Sequence, residues 1–109
     1  MEIRAAQREA WADKLNKGFN TENVPLEFCL LSGEVAEAFG AWRKGQEDRG
    51  EELADVAICL LGLAQMTGAG LGSEMARKLA ENAARTYRPL ADGTLVKTAG
   101  GQLSQAPEG

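Results

Sequence analysis

The longest apolar stretch of the sequence, residues 56–64, reads VAICLLGLA. It follows Glu51, Glu52 and Asp55, whose negative charges favour the first turns of a helix because they complement the positive end of its dipole. We therefore expect a helix from about residue 51 to about Thr67. This helix is apolar on every side, so neighbouring helices of one chain cover only part of it. We infer a homodimer in which this helix lies near the interface.

Apolar periodicity and helix-ending residues predict three more helices. Gly18 and Gly45 stand where helices stop, Pro25 suits a first turn, and Ser73 is expected to be an N-cap. The small residues Gly33, Ala36 and Gly40 would permit close approach of another helix. The four predicted helices cover about residues 2–17, 25–44, 51–67 and 73–87. The expected fold is an all-α four-helix bundle.

The composition changes after Pro89 to Gly, Thr, Gln and Pro. Asp92 and Gly93 form a turn signal, and residues 94–96 are compatible with a short strand. We find no strand pattern strong enough to build a sheet. We therefore predict a single helical domain over residues 1–97 and a disordered, irregular tail over residues 98–109.

Length and charge narrow the classes of function. A chain of 109 residues with net charge −4 has room for one domain and carries no basic stripe to attract a nucleic acid. The sequence contains no histidine, which excludes Ser-His-Asp and Cys-His catalysis, mixed Cys/His zinc sites and Glu-x-x-His di-iron sites. Any metal chemistry must use carboxylates.

The cysteines and the N-terminus bear on the compartment. Cys29 and Cys59 lie in apolar runs without disulfide or metal-binding spacing, so we expect them in the core, under reducing conditions. No signal peptide opens the chain and no apolar stretch is long enough to span a bilayer. We expect a cytoplasmic protein without a membrane partner.

Two acidic pairs carry the chemical signal: Glu34 with Glu37, and Glu52 with Asp55. Residues three apart share one face of a helix. Such pairs are common on solvated helices, but these stand among apolar residues, where an unpaired charge is costly. The short connection between the second and third helices makes them antiparallel neighbours and can bring the pairs face to face.

Carboxylates clustered in this way repel one another unless a divalent cation neutralises them. Ligation by oxygen alone favours hard ions such as Mg²⁺ or Mn²⁺. Mg²⁺ bound by carboxylates keeps positions open for water and for substrate phosphates. The sequence therefore points toward phosphate chemistry.

Three segments in order carry a resemblance: SGEVAEA (residues 32–38), ELADV (residues 52–56) and Lys78-x-x-x-Asn82-x-x-Arg85. Together they resemble the MazG-like all-α nucleoside triphosphate pyrophosphohydrolases, over about residues 25–97. The resemblance implies hydrolysis of (d)NTPs to (d)NMP and pyrophosphate, clearing unwanted nucleotides, by a dimer or a dimer of dimers. It also implies that Mg²⁺ is held by the carboxylates of both acidic pairs, Glu34, Glu37, Glu52 and Asp55.

Several other residues are candidates for substrate binding or for the core. Lys78, Asn82 and Arg85 share one face of the fourth helix, where they can hold a triphosphate or simply form a solvated face. Arg43, Lys44 and Arg88 are weaker candidates near helix ends. We expect Glu27 to be solvated, and Trp42, Cys29, Cys59 and Met66 to lie in the core, while the role of Trp11 stays open. Two alternative functions remain, a phosphoribosyl-ATP pyrophosphohydrolase and a non-catalytic helical module that binds a protein.

Overall fold

The computed structural model describes residues 1–98, which form four helices and a short hairpin. The helices are α1 (Ile3–Lys17), α2 (Val24–Arg43), α3 (Arg49–Met66) and α4 (Leu71–Ala83), and the strands are β1 (Tyr87–Pro89) and β2 (Leu95–Lys97). The predicted set of four helices is therefore confirmed. The chain divides into two compact units, the first Met1–Gly72 and the second beginning at Ser73. The predicted disordered tail lies outside the described residues except for Thr98.

Short-range signals set the helix ends in the first unit. α1 stops at Gly18, whose φ of 72° is in the left-handed region that favours glycine. Asn23 caps α2 by accepting a 3.0 Å hydrogen bond from the backbone N–H of Leu26. α3 begins at Arg49, two residues earlier than residue 51, so that both Glu51 and Glu52 lie in its first turn.

The core of the first unit forms where α3 packs against both α1 and α2. Its buried apolar residues are Ala38, Ala41, Leu61, Leu63 and Ala64. Two residues predicted to be core are not: Trp42 is 65% exposed and Cys29 is exposed. Cys59 is half-buried and so is Met66. Three helices of this length leave many apolar side chains uncovered, because a small unit has a high ratio of surface to volume.

Gln7 joins α1 to the last turn of α3 and to the residues that follow it. Its side chain is 6% exposed. The amide nitrogen donates to Gln65 Oε1 at 3.0 Å and to the carbonyl of Ala69 at 2.8 Å. The amide oxygen accepts from the backbone N–H of Leu71 at 3.0 Å. Because all of these groups are paired, burying the amide carries little desolvation cost.

The second unit corrects two expectations. Ser73 is not the N-cap of α4, which starts at Leu71, and the helix ends at Ala83 instead of Tyr87. Tyr87 belongs to β1, which pairs antiparallel with β2 so that Tyr87 faces Lys97. The expectation of no sheet is therefore wrong for this hairpin.

The hairpin forms because the residues of its turn and the residues of its strands both favour this structure. At the predicted turn, Gly93 has a φ of 92°, and Asp92 Oδ1 accepts from the N–H of Thr94 at 2.9 Å. The N–H of Leu90 donates to the carbonyl of Thr94 at 2.7 Å. Tyr87 and Val96 are residue types that favour strands, so pairing β1 with β2 competes successfully with a longer α4.

Among the described residues, no single helix has the length and hydropathy to cross a bilayer, although α3 and α4 taken as a pair meet that test.

Candidate divalent-cation site

Three of the predicted acidic residues converge. Glu34 and Glu37 come from α2 and Glu52 from α3, and one carboxylate oxygen of each lies within 4.8 Å of the others. The first two share a face because they are three residues apart on one helix. Residues 44–48 connect the helices closely enough to bring Glu52 opposite that face. The three carboxylates thus form one cluster, which we call the acidic cluster.

Asp55 is exposed and does not belong to the acidic cluster. It is nevertheless near enough to act on it, since its negative charge helps to raise the pKa values of both Glu34 and Glu52. The geometry therefore brings together Glu34, Glu37 and Glu52, with Asp55 beside them.

Mutual repulsion is visible in the acidic cluster. Desolvation, followed by the charges of Glu37 and Asp55, raises the pKa of Glu34. Desolvation, followed by the charges of Glu37 and three other acidic residues, raises the pKa of Glu52. Both effects disfavour the ionised forms. A divalent cation between the carboxylates would remove that penalty, and carboxylate oxygens are ligands that hard cations prefer.

A pocket of about 420 Å³ opens beside the acidic cluster. Its lining residues come from α2, α3 and the connection between them: Ala36, Glu37, Gly40, Ala41, Lys44, Gln46 and Glu52. Two members of the acidic cluster and one lysine thus share this space, which we call the acidic pocket. It has room for a small polar ligand next to the carboxylates.

The predicted phosphate-binding residues lie in the second unit. Lys78 and Asn82 are on α4, whereas Arg85 lies beyond its end, so the three do not share one helix. Lys78 pairs with Glu81 at 3.3 Å, and Arg85 pairs with the same carboxylate at 3.1 Å. Arg85 also donates to Asn82 Oδ1 at 3.0 Å. Glu81 therefore partly neutralises the positive charges that were expected to hold a phosphate.

A buried ion pair was missed from the sequence. Glu27, expected to be solvated, is 3% exposed and accepts from Lys14 Nζ at 3.1 Å. Asn20 donates to its other oxygen, Oε1, at 3.0 Å. The Cys59 thiol donates at 3.5 Å to Oε2, the oxygen that also accepts from Lys14. No local pattern signals this cluster, because Lys14 and Glu27 lie on different helices. It belongs to the packing of the first unit.

The pKa values in this buried cluster follow its hydrogen bonds. Burial alone would raise the pKa of Glu27, but hydrogen bonds from Asn20, Lys14 and Cys59, with the charge of Lys14, lower it below the ordinary value. Burial and the neighbouring carboxylate raise the pKa of the Cys59 thiol to about 11. Glu27 is thus held as a carboxylate and Cys59 as a thiol.

A second, larger groove of about 910 Å³ lies between α2 and α3. It is mainly apolar, and its lining residues are Val35, Ala38, Phe39, Trp42, Glu47, Arg49, Gly50, Leu53 and Val56. Phe39 and Trp42 stack there with ring centroids 6.1 Å apart. We call it the aromatic groove. Trp42 is not a core residue because its ring lines this open groove.

Comparison with known proteins shows a similarity to a phage enzyme. The dATP/dGTP diphosphohydrolase of Salmonella phage PMBT28 is 37% identical over 84 residues, which is 77% of this chain and 27% of the phage protein. The chain thus spans about a quarter of the length of that relative. No protein-family model matches the chain. No solved structure matches it either.

Proposed function

We propose that the chain is a divalent-cation-dependent nucleoside triphosphate pyrophosphohydrolase that converts a purine deoxynucleoside triphosphate to its monophosphate and pyrophosphate. The observation that carries this proposal is the acidic cluster, in which carboxylates from two helices lie within 4.8 Å of one another. Support for the substrate class comes from the phage relative, whose name specifies dATP and dGTP.

Mg²⁺ is the cofactor we propose, with Mn²⁺ as a substitute, and Glu34, Glu37 and Glu52 as its ligands. Asp55 contributes in this proposal through its charge or through a water molecule. When bound, the cation would lower the pKa of a nearby water and offset negative charge that develops on the phosphates. The fit rests on the donors themselves, since Glu34 and Glu52, whose raised pKa values disfavour the ionised form, gain from a hard cation.

The remaining chemistry belongs to the chain. A water oxygen forms a bond to the α-phosphorus while the bond from that phosphorus to the bridging oxygen breaks, and pyrophosphate leaves with the bonding electrons. Glu37 or Glu34 accepts the proton that the water loses, and the carboxylate that does so acts as a base instead of as a ligand. Because the acidic pocket is lined by small residues such as Gly40 and Ala41, it leaves space for the phosphates beside these carboxylates.

Product analysis tests this function. The chain is incubated with dATP, dGTP, dCTP, dTTP or phosphoribosyl-ATP and Mg²⁺, and the phosphorus products are separated. We expect dAMP or dGMP with pyrophosphate from the purine deoxynucleotides, and no turnover after chelation of the metal. Release of single phosphates, or faster turnover of phosphoribosyl-ATP, would contradict the proposal.

Matched variants link this activity to the acidic cluster. Glu37→Gln and Glu52→Gln keep the shape of each side chain and remove its charge. We expect both to reduce kcat/KM by about 100-fold or more, because loss of a group that only supports a metal ligand already costs about 10–100-fold. Glu51→Gln removes the neighbouring charge outside the cluster and should leave kcat/KM within about twofold. Equal effects of Glu51→Gln and Glu52→Gln would contradict the assignment.

We also propose that the active form is a homo-oligomer, a dimer or a pair of dimers. The aromatic groove supports this, because the exposed side chains of Phe39, Trp42 and Leu53 are 58%, 65% and 64% accessible in the single chain. Apolar area of this kind is typical of a surface that another protein covers.

A further inference from the structure

Lys44 is the positively charged member of the acidic pocket. It follows the last residue of α2 and shares the lining of the pocket with Glu37 and Glu52. It nevertheless pairs with neither, and its side chain forms no ion pair or hydrogen bond within residues 1–98. An exposed ammonium group beside two carboxylates is therefore available to a ligand.

Four other cations, Lys14, Arg43, Lys78 and Arg85, are engaged elsewhere. Lys78 and Arg85 pair with Glu81, and Lys14 pairs with Glu27. Arg43, next to Lys44 in the chain, lies over the ring of Phe39 at 6.0 Å, on the side of the aromatic groove. Lys44 differs from all of them because it combines a position in the acidic pocket with an uncommitted charge.

The surface of α2 joins Lys44 to the acidic cluster. Gly40 and Ala41 lie three and four residues after Glu37, and four and three residues before Lys44, which places all of them along one side of the helix. Apart from its two chain neighbours and the nearby backbone of α2, a Cβ added at Gly40 would meet no atom within 4 Å. The surface between Glu37 and Lys44 is thus open, over about 10 Å along the helix axis.

We propose that Lys44 binds a phosphate of the nucleotide that is not attacked, while the acidic cluster holds the cation at the reacting phosphate. This inference rests on the proposed function. Carboxylates alone repel a polyphosphate, so a pocket that accepts one needs positive charge in addition to a bound cation. An ammonium group supplies three rotatable donors to phosphate oxygens.

An ordinary role for Lys44 predicts a different outcome. A lysine at the end of a helix also complements the negative end of the dipole, and its loss then costs a few tenths of a kcal/mol of stability with no effect on substrate binding. A residue that binds a remote phosphate acts equally on the ground state and the transition state, so its loss raises KM while kcat changes little. Kinetics therefore separate the two roles.

The test compares Lys44→Gln, Lys44→Arg and Arg43→Gln in steady-state hydrolysis of dATP with Mg²⁺. We expect Lys44→Gln to raise KM about tenfold or more, the loss of one charge-assisted hydrogen bond, with kcat within about threefold. Lys44→Arg should recover most of the affinity because it keeps the charge. Arg43→Gln removes an equal charge outside the acidic pocket and should leave KM within about twofold.

A second pair of variants tests the open surface without changing charge. Gly40→Leu should raise KM because its side chain occupies the space between Glu37 and Lys44, whereas Gly40→Ala should not. An unchanged KM in Lys44→Gln, an equal rise in Arg43→Gln, or an unchanged KM in Gly40→Leu would overturn this inference alone. A wild-type chain that hydrolyses no nucleotide would overturn the proposed function and this inference with it.

Discussion

At the scale of single residues, the pair of Lys14 and Glu27 is the strongest electrostatic feature of the first unit. Their side chains are 11% and 3% exposed, and the pair is completed by Asn20 and Cys59. Removing one partner of a buried pair leaves a charge that is neither solvated nor neutralised. The exposed pair of Lys17 and Asp13, at 55% and 52%, offers a comparison within the same helix.

We predict that Lys14→Met lowers the free energy of unfolding by about 3 kcal/mol, whereas Lys17→Met changes it by no more than about 0.5 kcal/mol. Both changes remove one lysine from α1 and keep a long side chain. Urea denaturation followed by circular dichroism measures the difference. Equal losses of stability in the two variants would show that another group or solvent neutralises the charge of Glu27.

The pH dependence of stability follows from pKa shifts of opposite sign. The pKa of Glu27 is lowered from 4.5 in the folded chain. Its ionised form therefore stabilises the fold above pH 4.5, and this stabilisation is lost as the pH falls through the folded-state pKa. The pKa values of Glu34 and Glu52 are raised from 4.5 in the folded chain. Their protonated forms therefore favour the fold below pH 4.5, and this stabilisation is lost as the pH rises through the folded-state pKa values.

We therefore predict that the metal-free chain becomes more stable as the pH is lowered from 7 toward 5, and less stable below about 4.5. Urea denaturation in the presence of a chelator measures this profile. Glu37→Gln should weaken the rise between pH 7 and 5, because it removes a charge that acts on both neighbours. A wild-type profile that is flat over that interval would contradict the repulsion in the acidic cluster.

At the scale of helices, the contact of α1 with α3 depends on one small residue. A side chain at Gly62 would meet the Cδ and Cε of Lys14 at 3.0 Å. The lysine cannot move away freely, because its ammonium group is held by Glu27. A Cβ added at Gly33 in α2 would meet nothing within 4 Å beyond the nearby backbone of its own helix. Neither glycine has a positive φ.

We predict opposite signs for two identical substitutions. Gly33→Ala should stabilise the chain by about 0.5–1 kcal/mol through helix propensity and the unfolded state. Gly62→Ala should destabilise it by about 1–2 kcal/mol, because displacing Lys14 weakens its buried pair with Glu27 by more than the alanine gains in helix propensity. Thermal and urea denaturation compare the two. Stabilisation by Gly62→Ala would show that the lysine stem relocates without cost.

The elements show what could be predicted from the sequence and what could not. Local signals such as Gly18, Pro25 and the short connection between α2 and α3 predicted the helices and the meeting of Glu37 with Glu52. The end of α4 and the hairpin depended on pairing with residues further along the chain, which local propensity cannot supply. The burial of Glu27 depended on Lys14 from another helix.

At the scale of the whole molecule, the apolar surface exceeds what one chain covers. Within residues 1–98, buried apolar side chains are confined to a few positions on α2 and α3, while the aromatic groove is open. The net charge of −4 is small enough that repulsion between two copies does not oppose their association strongly. The predicted homodimer is consistent with these features and stays a prediction.

We predict that light scattering gives at least twice the chain mass of 11.6 kDa. Leu53→Glu, in the aromatic groove, should shift the protein toward the monomer because it places a charge in an apolar contact. Glu22→Gln, at an exposed position outside the groove, should leave the mass unchanged. A monomer mass for the wild type at micromolar concentration would contradict the proposed assembly.

The central claim is that carboxylates from α2 and α3 form one site for a divalent cation. Titration calorimetry with Mn²⁺ tests it most directly, using the wild type, Glu52→Gln and the matched control Glu51→Gln. The account predicts saturable binding to the wild type and to Glu51→Gln, with at least about tenfold weaker binding to Glu52→Gln. Absence of binding to the wild type, or equal affinities for all three proteins, would contradict it.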